Sequence, residues 1–107
     1  FKQNVKDMRN SGAVQVGQHL LSKGIVVEAY DPFIEDTAVS DLGFSLVDPS
    51  SLYDAIILAV PHQALLHRDP ADWLSKLERS GSRFVIDISG AWDREFVEAQ
   101  GYCYWRL

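Results

Sequence analysis

The sequence predicts an α/β fold, a three-layer arrangement around a doubly wound parallel sheet, and three observations lead there. Helical and extended apolar periods alternate along the 107 residues. Two runs, "DAIILAV" at 54–60 and "RFVIDI" at 83–88, are apolar almost throughout, as in strands covered on both faces, and such strands belong to parallel sheets. Helix signals lie between these runs, such as Asp69-Pro70 ahead of Trp73, Leu74 and Leu77, so strand and helix alternate.

The elements follow in order. Residues 12–23 set Ala13, Val16, Gly17, Leu20 and Leu21 at i, i+3, i+4, i+7 and i+8, one face of a helix, with Ser11 or Asn10 as N-cap and Gly24 just past the end. "IVVEAY" at 25–30 reads as a strand stopped by Asp31-Pro32. A short helix at 36–42 closes at Gly43, and "FSLV" at 44–47 is a brief strand. The strand at 54–60 stops at Pro61. Asp69 caps and Pro70 begins a helix with Trp73, Leu74 and Leu77 inward, ending at Gly81. The strand at 83–88, a short helix at 94–100 and a last strand at 102–107 complete the chain. A doubly wound sheet of this type opens with a central strand leading into the first helix, and the chain starts without one at Phe1. It reads as part of something longer, with the opening strand outside it. In the order three-two-one-four-five-six, residues 25–30 and 54–60 then flank the place of that strand and do not pair directly.

Composition narrows the function. The length fits one domain with one core, and the absence of low-complexity runs argues against disorder. A net charge of −5 opposes nucleic-acid binding, which needs a clustered cationic face. The partner expected is a small molecule. Cys103, the single cysteine, excludes an internal disulfide and a cysteine-cluster metal site and fits a cytoplasmic setting. No apolar run approaches the roughly 20 residues that span a bilayer. No "GxSxG" elbow supports a serine hydrolase, and no paired acids support a phosphoacceptor receiver.

Against this acidic background, "FKQNVKDMRNS" at 1–11 gathers Lys2, Lys6 and Arg9 around Asp7 just ahead of the first helix. The first βα junction of such a sheet lies at the C-terminal strand edge, where ligands collect, and the helix start favours anions. Without a "GxGxxG" the backbone cannot wrap a pyrophosphate closely, so side chains must supply charge. Asp31 ends a strand where dinucleotide-binding domains place a ribose-binding acid, but Pro32 and the missing glycines favour a turn role. His62 sits at a strand's C-terminal end as a loop hydrogen-bonder with no assigned proton transfer. His19 and His67 read as helix-surface residues, and Trp73, Trp92 and Trp105 as packing residues.

These residues carry a resemblance. "FKQNVKDMRNS", "YDP" at 30–32, "YDAIILAVPH" at 53–62, "VIDISGAWDR" at 85–94 and the ending "GYCYWRL" resemble, in order and spacing, the C-terminal domain of the UDP-glucose/GDP-mannose dehydrogenase family, over essentially the whole chain. The resemblance implies a Rossmann-like domain that binds the UDP part of a nucleotide sugar. It is one of three in an NAD-dependent enzyme that oxidises the sugar C6 alcohol to a carboxylate, work that serves polysaccharide biosynthesis. The family's NAD-binding domain and its central dimerising segment, which holds a nucleophilic Cys, lie outside this chain, so the fragment alone is expected to be inactive. The full-length enzyme is expected to be a homodimer or higher homo-oligomer. Cys103 does not match the nucleophile's motif and reads as a small buried apolar side chain.

By resemblance, Phe1 and Lys2 contact the UDP-sugar and Arg9 reaches NAD, with Asp7 orienting Arg9. Where many members have Arg or Lys two positions after the acid corresponding to Asp87, this chain has Ser89, which brings a hydroxyl and no charge. No residue of the chain is assigned a catalytic or metal-binding role. "VPH" at 60–62 is closer to the UDP-N-acetylhexosamine branch than to the UDP-glucose branch. The alternative is a noncatalytic α/β nucleotide-binding or regulatory module, which the presence or absence of an upstream "GxGxxG" and a central Cys motif would decide.

Overall fold

Strands and helices alternate from end to end in the computed structural model, which describes residues 12–48, 50–67, 69–77 and 83–106. The elements are α1 (Gly12–Ser22), β1 (Glu28–Ala29), α2 (Asp36–Asp41), β2 (Ser45–Leu46), β3 (Ala55–Leu58), α3 (Gln63–Leu66), α4 (Pro70–Leu74), β4 (Phe84–Asp87), α5 (Arg94–Ala99) and β5 (Cys103–Arg106). Every strand pairing is parallel. The fold is α/β and Rossmann-like, as the sequence predicts.

The strands form two sheets, β1–β2 and β3–β4–β5, and residues 25–30 do not pair with 54–60 among the described residues. The chain divides into two units, 1–50 and 51–107. One core was expected from the length. Buried apolar residues instead form two clusters, because each sheet buries its apolar side against the helices of its own unit.

In the first unit, Val14, Ile34, Val39 and Phe44 form the buried cluster, with Leu21, Val27 and Leu42 packed against it. Of the face predicted on Ala13, Val16, Gly17, Leu20 and Leu21, helix α1 buries Gly17 and packs Leu21 against the cluster, but it turns Val14 inward and leaves Val16 38% exposed, a rotation within that face. Gly17 is the cause. A Cβ there would lie 2.5 Å from Cζ of Phe44, so the missing side chain is what admits the ring against the helix. The strand expected at 25–30 shortens to β1, with Ile25 and Val26 exposed, although the Val27 carbonyl still accepts from Ser45 N–H at 3.1 Å. Asp31 takes the turn role expected of it: Oδ1 accepts from Phe33 N–H at 2.8 Å. The expected N-caps Ser11 and Asn10 lie outside the described residues.

In the second unit, β3 pairs with β4 from Ala55↔Phe84 to Leu58↔Asp87, and β4 pairs with β5 from Phe84↔Cys103 to Asp87↔Arg106. Alternation along the strands puts Leu58, Val85 and Tyr104 into a cluster with Leu74, Leu77, Trp92 and Val97. The same alternation exposes Ala55, Phe84, Cys103 and Trp105. Cys103, expected to be buried, is thus exposed, and the double coverage read from the apolar runs at 54–60 and 83–88 holds only for part of each. Trp92 packs in the core and Trp73 against it, whereas Trp105 is 61% exposed. His19 and His67 are exposed, as expected.

Asp69 caps α4 by accepting from Ala71 N–H at 3.0 Å, and Leu74 and Leu77 are buried as the pattern requires. The predicted end at Gly81 lies outside the described residues. Helix α3 is an element that the sequence pattern did not foretell. No described helix is long and apolar enough to cross a membrane.

The Gly17–Phe44 contact generates a test. Gly17→Ala gains about 1 kcal/mol of helix propensity and loses about 1–3 kcal/mol to overpacking. Urea denaturation should therefore show Gly17→Ala less stable than Gly12→Ala, since a methyl group at Gly12 would meet nothing within 4 Å. Equal stability would contradict the packing.

Candidate ligand-binding edge

In parallel α/β sheets, ligands collect beyond the carboxyl ends of the strands. In the second unit that edge is built by the turn after β3, the turn after β4 and the end of β5. Ile88 N–H donates to the Leu58 carbonyl at 3.0 Å, continuing the ladder up to the edge. Past it, the chain turns through Ser89 and through Gly90, whose φ is +69°, a conformation that favours glycine.

Asp87, the last residue of β4, holds this turn. It is fully buried. Its Oδ1 accepts from Ala91 N–H at 3.1 Å and its Oδ2 from Trp92 N–H at 2.7 Å. The Tyr104 hydroxyl also reaches Oδ2, at 2.6 Å, and the Trp92 carbonyl, at 3.0 Å. A hydroxyl has one proton, and the shorter, charge-assisted bond to the carboxylate claims it. Buried charge needs this degree of hydrogen bonding to be tolerated. The turn is thus pinned to the strand by a carboxylate rather than by its own backbone alone, and Asp93 caps α5 behind it by accepting from Glu95 N–H at 3.1 Å.

Two arginines surround Tyr104. Arg94 Cζ lies 5.0 Å and Arg106 Cζ 5.3 Å from the ring centroid, within cation–π range. Arg106 donates from Nε and Nη2 to the Tyr104 hydroxyl oxygen at 3.3 and 3.1 Å, and from Nη2 to the Trp92 carbonyl at 3.1 Å. Burial raises the Tyr104 hydroxyl above its usual value near 10, and the Asp87 hydrogen bond raises it further, while Arg106 opposes the shift. The Trp92 indole N–H is buried without a hydrogen-bond partner among the described residues, and nothing in the structure explains it.

Of the predicted site residues, Ser89 is placed on this turn with its side chain exposed. Phe1, Lys2 and Arg9, with Asp7, lie outside the described residues. His62 is fully buried, and its carbonyl accepts from the N–H groups of Leu65 and Leu66 at the start of α3. No group of three or more potential metal ligands occurs among the described residues. Sequence reasoning missed Tyr104 and Arg106. The signal for them was the parallel register, which sets Tyr104 beside Val85 on the inward face and Arg106 beside Asp87.

In architecture the chain is a Rossmann-like α/β fold with a carboxylate-pinned turn at the carboxyl edge of the β3–β4–β5 sheet. Comparison narrows the class. The model of the UDP-glucose/GDP-mannose dehydrogenase family, UDP binding domain, matches residues 1–94, and the chain belongs to that family. It is 37% identical over 65 residues to UDP-N-acetyl-D-glucosamine 6-dehydrogenase of Pseudomonas aeruginosa, covering 58% of this chain and 15% of that protein. It is 33% identical over 107 residues to "Putative UDP-glucose 6-dehydrogenase YtcA" of Bacillus subtilis (strain 168), covering 94% of this chain and 24% of that protein. The chain thus spans no more than about a quarter of these relatives' length. No solved structure matches it.

The Asp87 network sets two measurements. Asp87→Asn turns one acceptor into a donor facing a buried N–H or hydroxyl, and urea denaturation should show a loss of about 1–3 kcal/mol. For Tyr104, the raised folded value means stability is fully present below about pH 10 and falls as pH rises through the folded value, because the unfolded chain ionises first. Ultraviolet titration of tyrosinate should show one group ionising above the ordinary range of about 10, missing in Tyr104→Phe. A titration unchanged by that substitution would contradict the network.

Proposed function

We propose that this chain binds the UDP part of a UDP-sugar, as one domain of an NAD-dependent enzyme that oxidises the sugar C6 alcohol to a carboxylate. The observation that carries the reading is the match of the family's UDP-binding domain over residues 1–94. The names of both relatives, UDP-sugar 6-dehydrogenases, support the reaction. In this reading Phe1 and Lys2 contact the UDP-sugar, and Ser89 offers a hydroxyl from the turn after β4. The enzyme acts in the cytoplasm as a homo-oligomer and supplies sugar uronates for polysaccharide synthesis.

The described residues do not fit NAD as its principal site. The sequence has no "GxGxxG", and Asp31, at the strand end where such a domain offers an acid to ribose, is 7% exposed and holds Phe33 N–H instead. We therefore assign NAD to other domains of the enzyme, with Arg9 the predicted contact from this chain. This chain by itself is expected to produce no NADH from any UDP-sugar.

Kinetics of the whole enzyme separate the two cationic assignments. If Lys2 meets UDP equally in ground and transition states, Lys2→Ala raises KM for the nucleotide sugar and leaves kcat nearly unchanged. A charge-assisted contact of about 1.5–3 kcal/mol corresponds to roughly 10- to 150-fold. Arg9→Ala should instead raise KM for NAD. Wild-type constants in both variants would remove these residues from the site.

A further inference from the structure

We propose that Arg106, at the end of β5, supplies a cationic contact, beside that assigned to Lys2, to a phosphate of the bound nucleotide. The inference rests on the UDP reading above and deepens it. Arg106 pairs in register with Asp87, so its side chain stands at the same strand edge as the turn after β4. A Cβ on Gly90 would meet Arg106 Cζ and Nε at 3.3 Å. The turn therefore approaches the guanidinium with no side chain between them.

The guanidinium is held and yet incompletely used. Nε and Nη2 donate to the Tyr104 hydroxyl and the Trp92 carbonyl, which fixes the plane of the group from one side. Nη1 donates to no described residue, and no described carboxylate forms an ion pair with Arg106. The nearest acid in the network, Asp87, is fully buried and already accepts from two backbone N–H groups and the Tyr104 hydroxyl. Asp93, the acid on the same connection, accepts from Glu95 N–H as the cap of α5, and Glu95 lies in the first turn of that helix. Arg94, on the Tyr104 ring, is likewise without an ion-pair partner among the described residues.

Two guanidiniums thus stand around one tyrosine, and neither forms an ion pair with a described carboxylate, in a chain of net charge −5. A planar donor fork with a fixed orientation and an open side suits a phosphate oxygen, and it loses little entropy on binding one. Ser89, exposed on the same turn, can add a neutral hydrogen bond.

Calorimetric titration of the whole protein that carries this chain, with UDP and with uridine, tests the inference. Wild type should bind UDP more tightly than uridine. Arg106→Gln keeps an amide donor for the Trp92 carbonyl but removes the charge; it should weaken UDP by roughly 10- to 150-fold and leave uridine unchanged. Arg106→Lys should recover part of the loss. Unchanged UDP affinity in Arg106→Gln overturns the inference. So does an equal loss for UDP and uridine, which would mean that the arginine only shapes the turn, and so does failure of both variants to fold by circular dichroism. Wild type that binds neither ligand removes the UDP reading itself, a result distinguishable from these because it appears before any substitution.

Discussion

The Asp87 carboxylate is the constraint on which the carboxyl edge of the second unit's sheet depends. Its donors come from the turn that follows its own strand and from the neighbouring strand β5. One buried charge therefore fixes the path of the chain out of β4, the seat of Tyr104 and, through the Tyr104 hydroxyl, the plane of Arg106. An unpaired carboxylate in this position would be costly, so the turn and the tyrosine have to stay together. Rigidity at the edge is what a binding site for a charged ligand needs, because a preorganised donor set orders less on binding.

The first unit is organised by a close backbone approach instead. There α1 comes near Phe44 because Gly17 has no side chain, and Val14, Ile34 and Val39 close around the ring. Its turn at Asp31 uses a carboxylate locally, on Phe33 N–H two residues away, whereas Asp87 reaches a neighbouring strand 17 residues later. The same residue type thus serves a short-range turn in one unit and a long-range lock in the other.

Much of the element pattern was legible because it depends on local chemistry. Pro70 after Asp69, Gly43 after α2 and the apolar run leading to Leu58 mark boundaries that a sequence window contains. Parallel pairing followed from the apolar runs and the alternation of strand and helix. Burial was less legible: Val16 and Cys103 are apolar by type, yet the close approach at Gly17 and the alternation around Tyr104 turn them outward. The edge itself required register. Nothing local to "GYCYWRL" says that Arg106 stands beside Asp87; only the pairing of β4 with β5 does. The cationic stretch at 1–11 was legible as a motif, and its geometry lies outside the described residues.

A crystal structure of the whole protein with UDP bound is the most direct test of the proposal that this edge holds the nucleotide. The expected result is a phosphate oxygen within hydrogen-bonding distance of Arg106 and the turn after β4 facing the ligand, with the Asp87 hydrogen bonds unchanged. UDP bound away from that edge, with Arg106 and Ser89 in solvent, would contradict it.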